Sequence, residues 1–300
     1  MLHRSFLVGL ALVSVTAAGC SDEPSRFVPV LDDAGVDAGP SLTDVEVTID
    51  RGVIPIRDTG PSIDQTIVYA HSATLLYAVN PRTNDLRTVG LFTFASDDRN
   101  NHVMNDIAVD ADGTLVGSTQ DALYRINTST ALCTLIAPLP DGNFVGLTYL
   151  PVGLIPNTTG EVLIGGVSGG DFWRIDTTTG GATRLGQLRR SSTEYALSGD
   201  FVSIAGAGTF ATVRATNASA MSSDQLASVN PSTGEVNILG NTGFDRIFGL
   251  AYYRNTLYGF TRDGEFISIN IRTGVGTLVS RPAPQFYGAG VTTLAPTAPP

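Results

Sequence analysis

Residues 226–240 read LASVNPSTGEVNILG, and the same fifteen-residue pattern occurs four more times without gaps: LYAVNPRTNDLRTVG (76–90), LYRINTSTALCTLIA (123–137), FWRIDTTTGGATRLG (172–186) and FISINIRTGVGTLVS (266–280). Position 1 is Leu or Phe, position 4 is Val or Ile, and position 5 is Asn80, Asn127, Asp176, Asn230 or Asn270. Position 8 is always Thr, position 9 is Gly in three of the five copies, and position 14 is always aliphatic. This is the chemistry of a β-hairpin. β-Branched and aromatic residues form a strand. The Asn or Asp side chain then bonds nearby amides and turns the chain. The Thr-Gly step supplies a hydroxyl acceptor and a positive φ before the return strand.

The copies start 47, 49, 54 and 40 residues apart. Between them lie further strand pairs: DIAVDADGTLVGST (106–119), GLTYLPVGLIPNTTGEVLIGGV (146–167), DFVSIAGAGTFATVRA (200–215) and GLAYYRNTLYGFT (249–261). Each unit is therefore two hairpins, or four strands, which is the size of one β-propeller blade. The first copy has a preceding strand, TIVYAHS (66–72), but no inner strand, while GAGVTTLA (288–295) is an inner strand with no blade after it. Joining the two completes a fifth blade and removes an exposed sheet edge. The expectation is an all-β, five-bladed propeller over residues 65–300, with six blades as the alternative if VEVTIDRGVIPI (45–56) contributes.

NDIAVDADGTLVGST (105–119) resembles the hairpin of NHL-type propellers and their lactonase-like relatives, and the five turns resemble YVTN and quinoprotein-type repeats. The resemblance implies the fold and leaves the site open. In such relatives a ligand or metal sits where the inner strands begin. Here that level reads Asp106, Gly146, Asp200, Gly249 and Gly290. Two carboxylates are too few for the metal cage of the lactonase-like proteins, so no metal and no cofactor are implied. Asp106 and Asp200, with His102 from the loop 95–105, are the catalytic candidates for a carbohydrate- or lactone-active hydrolase or lyase. The loops that feed the inner strands offer Asp97, Arg99, His102, Arg190, Asp245 and Tyr287 as binding candidates. Asp110-Ala-Asp112-Gly113 reads as a hairpin turn rather than a calcium loop. With no convergent catalytic set, the leading expectation is a monomeric binding or scaffold module for a protein or glycan.

The start of the chain carries a different message. Arg4 precedes the apolar run 6–18, and Ala17-Ala18-Gly19 precedes Cys20. The pattern resembles a bacterial lipoprotein signal, although Ala17 stands where that family usually has Leu. It implies a signal peptide 1–19, lipidation of Cys20 and a membrane partner through the acyl chains, with the outer membrane favoured. The alternative is an ordinary secretory signal. Residues 20–64 read as an acidic tether, with ten acids against three arginines. The net charge of −10 is thus carried mainly by the tether, and all eighteen basic residues are arginine. Without a basic stripe, nucleic acid is excluded as a partner. Cys133, in an apolar pattern, is expected to be a buried filler. Cys20→Ser is predicted to release the protein from membranes into the soluble fraction; unchanged membrane partition would contradict lipidation.

Overall fold

The computed structural model describes residues 64–95, 103–140, 142–219, 222–282 and 284–298. Cys20, residues 45–56, Asp97, Arg99 and His102 lie outside the described residues. Among the described residues every regular element is a strand. The first blade contributes β1 (Val68–His71), β2 (Leu75–Asn80) and β3 (Asp85–Leu91), followed by the short β4 (Thr93–Phe94). The second blade is β5 (Asp106–Val109), β6 (Leu115–Ser118), β7 (Ala122–Ile126) and β8 (Leu132–Pro138). The third is β9 (Gly146–Leu150), β10 (Val162–Gly166), β11 (Asp171–Ile175) and β12 (Ala182–Gln187). A two-residue arm, β13 (Arg189–Arg190), leads to β14 (Thr193–Ile204), β15 (Gly208–Ala215), β16 (Gln225–Val229) and β17 (Val236–Asn241). The fifth blade is β18 (Ile247–Tyr253), β19 (Thr256–Thr261), β20 (Phe266–Asn270) and β21 (Gly276–Ser280), and β22 (Gly288–Gly290) closes the ring.

The five sheets run β22-β1-β2-β3, β5-β6-β7-β8, β9-β10-β11-β12, β14-β15-β16-β17 and β18-β19-β20-β21, each from the centre outward, with β4 and β13 as edge additions. Closure is as the sequence implies. β22 pairs antiparallel with β1 through Tyr69↔Gly290, Ala70↔Ala289 and His71↔Gly288. The inner strands then touch in the cyclic order β5, β9, β14, β18, β22. The chain is a five-bladed β-propeller.

Each repeat forms the outer two strands of a blade, and its positions have consistent roles. Positions 1 and 4 are buried in all five copies, from Leu76 and Val79 to Phe266 and Ile269. The turn closes by an N–H at position 9 bonding the carbonyl at position 5, at 2.8 Å in every copy. Position 9 has φ of +63° at Asn84, +59° at Ala131 and +71° to +74° at Gly180, Gly234 and Gly274. Glycine is enriched there because only it takes this conformation without steric cost. The invariant Thr accepts the N–H two residues on, at 3.2–3.4 Å in all five turns. The register between the two strands slips once per blade, skipping Val89, Ile136, Leu185, Leu239 and Val279. The aliphatic residue at position 14 is therefore a β-bulge in every blade, which bends the outer strand.

The bulge also sets how blades dock. Position 15 follows it and is small: Gly90, Ala137, Gly186, Gly240 and Ser280. A methyl on Gly90 would come within 3.2 Å of the Thr130 carbonyl in the next blade's turn, and one on Gly240 would overlap the Thr273 carbonyl. The turn of one blade thus seats on the bulged strand of the previous one. Cys133 is buried, as expected, and burial pushes its thiol up to about 12. Two features were not expected: β4 pairs parallel with β8, and β13 pairs with an N-terminal extension of β14. Gly240→Ala is predicted to cost about 2–4 kcal/mol in urea unfolding through the overlap between blades. Gly243→Ala, with φ +78° and no atom within 4 Å, should cost only about 1–2 kcal/mol. Equal costs would contradict docking through the turn.

Candidate functional site

The inner strands of the ring meet at a level occupied by Asp106, Gly146, Asp200, Gly249 and Gly288. The level-mate in the closing strand is Gly288, which pairs with His71, and not Gly290 as the sequence reading has it. The error is one of register, because a three-residue strand of Gly-Ala-Gly offers no large side chain to fix it. Space at this level is short. A methyl on Gly146 would press on the Gly199 carbonyl, and one on Gly249 on the backbone of Gly288 and Ala289. A methyl on Gly288 would overlap the Asp106 carboxyl itself.

Both carboxyls serve the ring. Asp106 Oδ2 accepts the Leu147 N–H of the third blade at 2.5 Å. Asp200 Oδ2 accepts the Leu250 N–H of the fifth blade at 2.7 Å, and its Oδ1 accepts the Phe201 N–H at 2.6 Å. Each therefore satisfies an amide on the blade ahead, where an unpaired buried N–H would cost about 1–3 kcal/mol. Asp106, Asp200 and His71 are all fully buried. His71 Nδ1 donates to the Ser72 carbonyl at 2.8 Å, which leaves Nε2 as an acceptor facing Asp106 Oδ1 at 3.6 Å. Burial lowers His71 to about 4, so it is neutral at pH 7. Burial, then the charge of the neighbouring Asp200, raises Asp106 well above the usual carboxylate range, and burial raises Asp200 as well. Each carboxyl therefore holds its proton more tightly than an exposed carboxyl does.

Directly above lies the pore mouth. The residue one step before the level in each blade (Asn105, Val145, Gly199, Phe248 and Tyr287) lines a cavity of about 280 Å³, joined by Asn143, Ser168 and Ser198. Phe248 and Tyr287 meet edge to face with centroids 6.4 Å apart. Ser198 Oγ donates to Asp224 Oδ1 at 2.6 Å, and the same oxygen takes Arg214 Nε at 2.7 Å. Asp224 Oδ2 accepts the Ile247 N–H at 2.8 Å.

The expected site residues divide. Asp106 and Asp200 are brought together, but as a sealed layer beneath the mouth and not among its lining. Tyr287 lines the mouth. Asp245 is ion-paired with Arg214 and lies 3.8 Å from Arg246. Arg190 lines a separate polar groove with Glu235 and Asn230. Asp97, Arg99 and His102 fall in the segment outside the described residues. Sequence reasoning missed His71, Asn105, Asn143, Val145, Ser168, Ser198 and Phe248. Stepping one residue back from each inner-strand start would have found three of them. Among the described residues no group of three or more His, Cys, Asp or Glu could hold a metal ion.

The sequence matches no protein-family model, and no curated protein matches it. Similar solved structures include one from a study of the de novo evolutionary emergence of a symmetrical protein. It is 15% identical, covering 78% of this chain and 100% of that one with a TM-score of 0.46. An oligogalacturonate lyase in complex with manganese is 13% identical, covering 73% and 62% of the two chains with a TM-score of 0.38. A protein of unknown function from Bacteroides caccae is 11% identical over 72% of each chain, with a TM-score of 0.34. The fold rests on sheet order and register, and these distant likenesses add nothing to it.

The buried layer makes stability pH-dependent in two opposed ways. The depressed His71 means the unfolded chain binds more protons between pH 4 and 6.5, so stability rises with pH there. The raised carboxyl pair binds protons in the folded state, so its contribution is lost as pH rises from the ordinary carboxylate range. Above the ordinary carboxylate range the wild type is predicted to lose stability with rising pH relative to Asp106→Asn, read as urea midpoints. Parallel pH profiles of the two proteins would contradict the raised carboxyls.

Proposed function

We propose that this protein is a lipid-anchored, extracytoplasmic binding module. Cys20 carries the acyl chains, residues 20–64 form the tether, and the propeller holds one group of a protein or glycan partner in its mouth. The observation that carries this reading is the mouth itself. One residue from each of the five blades converges on a single concave space, with two aromatic rings, two carboxamides and two serine hydroxyls. Mixed apolar walls with a few convergent polar groups are the ordinary makeup of a ligand pocket. The carboxyls that a hydrolase or lyase would use are fully buried and bonded to backbone amides, which favours binding over catalysis.

The size of the cavity limits what a single site can do. At roughly 0.3 kcal/mol per non-hydrogen atom, a group of about twelve atoms gains about 4 kcal/mol, a Kd near 1 mM. A membrane anchor changes this, because many copies on one surface bind a repeated ligand with avidity. Phe248→Ala with Tyr287→Ala removes both rings from a half-buried position at the mouth. The double variant is predicted to melt within a few degrees of the wild type and to lose partner capture, read on a glycan array and by pull-down from an envelope fraction, by at least about tenfold. Capture unchanged in the folded double variant would overturn the proposal.

A further inference from the structure

We infer that the mouth takes a neutral saccharide ring, one C–H face seated against Phe248 and Tyr287 and one hydroxyl donated to Ser198. The inference rests on the binding reading above and adds the chemistry of the ligand.

Directionality at Ser198 carries the argument. Asp224 is fully buried and accepts from Arg214 Nε and the Ile247 amide as well as from Ser198. An ionised carboxylate only accepts, so the Ser198 proton is committed to it. What Ser198 presents to the cavity is lone pairs, and the ligand must bring a donor to that point. An apolar side chain in the same space would leave the Ser198 lone pairs desolvated without a donor, which disfavours it. Asn105 and Asn143 add carboxamides, which both donate and accept. That is the pattern a ring of hydroxyls answers.

Charge narrows the class further. None of the lining residues is Asp, Glu, Lys, Arg or His. Behind the wall, Asp224 is ion-paired with Arg214, which also pairs with Asp245. Beneath the floor lie Asp106 and Asp200, which would repel an anion but are sealed from direct contact with a cation. Among the described residues, then, the mouth offers nothing to neutralise a carboxylate or an ammonium. Hydroxyls satisfied by neutral groups, with a C–H face on aromatic rings, describe an uncharged sugar.

The test uses the full chain carrying Cys20→Ser on an array of neutral hexose, N-acetylhexosamine and hexuronate glycans. Titration with the free neutral monosaccharide that ranks highest follows. Neutral glycans are expected to be retained at least about tenfold better than hexuronates. Ser198→Ala should weaken the free sugar by about 5- to 20-fold, a hydrogen bond's worth, in a protein that still folds, its melting point lowered by only a few degrees because Asp224 keeps Arg214 and the Ile247 amide. Ser198→Thr, which keeps the hydroxyl, should restore most of the affinity. Preference for hexuronates, or no glycan bound at all, would overturn the saccharide inference. If Phe248→Ala with Tyr287→Ala then still abolishes capture of a protein partner, the binding reading survives alone. A neutral glycan held equally well by all three variants would place its site elsewhere and overturn both.

Discussion

Five inner strands converge so closely at the centre of this ring that side chains at one level must be either absent or useful. Three blades place glycine there, and two place an aspartate whose carboxyl crosses to the blade ahead and accepts its N–H. The arrangement satisfies amides that the ring has removed from water, and it leaves Asp106 Oδ1 facing His71 Nε2 at 3.6 Å as an unbonded polar pair at the axis. His71, on the strand that the chain terminus completes, faces the same cluster. Closure of the ring and neutralisation of its centre are thus one packing problem, solved by the same residues.

The mouth inherits its geometry from that centre. Its walls are the residues immediately before the tight level, so their spacing is set by strands that cannot move apart without breaking the carboxyl bridges. A pocket built on rigid strand ends costs little to organise on binding. The outer hairpins contribute indirectly: each bulge and small residue seats the next blade's turn, which fixes the angle between blades.

Much of this was legible in the fifteen-residue pattern. The Asn or Asp, the Thr and the Gly each have a local cause, so the hairpins and their turns follow from sequence, as does closure by the terminal strand. Position 9 shows the limit: Ala131 adopts φ +59° although alanine does not favour it, and only the alignment of Asn127 and Thr130 with the other turns points to it. The parallel strand β4 and the arm before β14 were hidden because they depend on neighbouring blades, not on local pattern. The candidate site was half legible. Asp106 and Asp200 stand out in sequence as carboxylates at strand starts, but their burial depends on five strands meeting. Ser198 and Phe248 carry no signal until the strands that contain them, β14 and β18, are placed in the ring. Arg190 and Asp245 drew attention as rim charges, yet one lines a separate groove and the other is held by Arg214.

The bridging role of the buried carboxyls is the claim on which the rest stands, and amide hydrogen exchange read residue by residue tests it most directly. The Leu147 and Leu250 amides should be among the slowest in the native protein. In Asp200→Ala, Leu250 should lose about 10- to 100-fold of its protection relative to other core amides, as expected for one bridging bond, while Leu147 changes less. Rapid exchange at Leu250 in the wild type, or protection there that is indifferent to Asp200, would contradict the account.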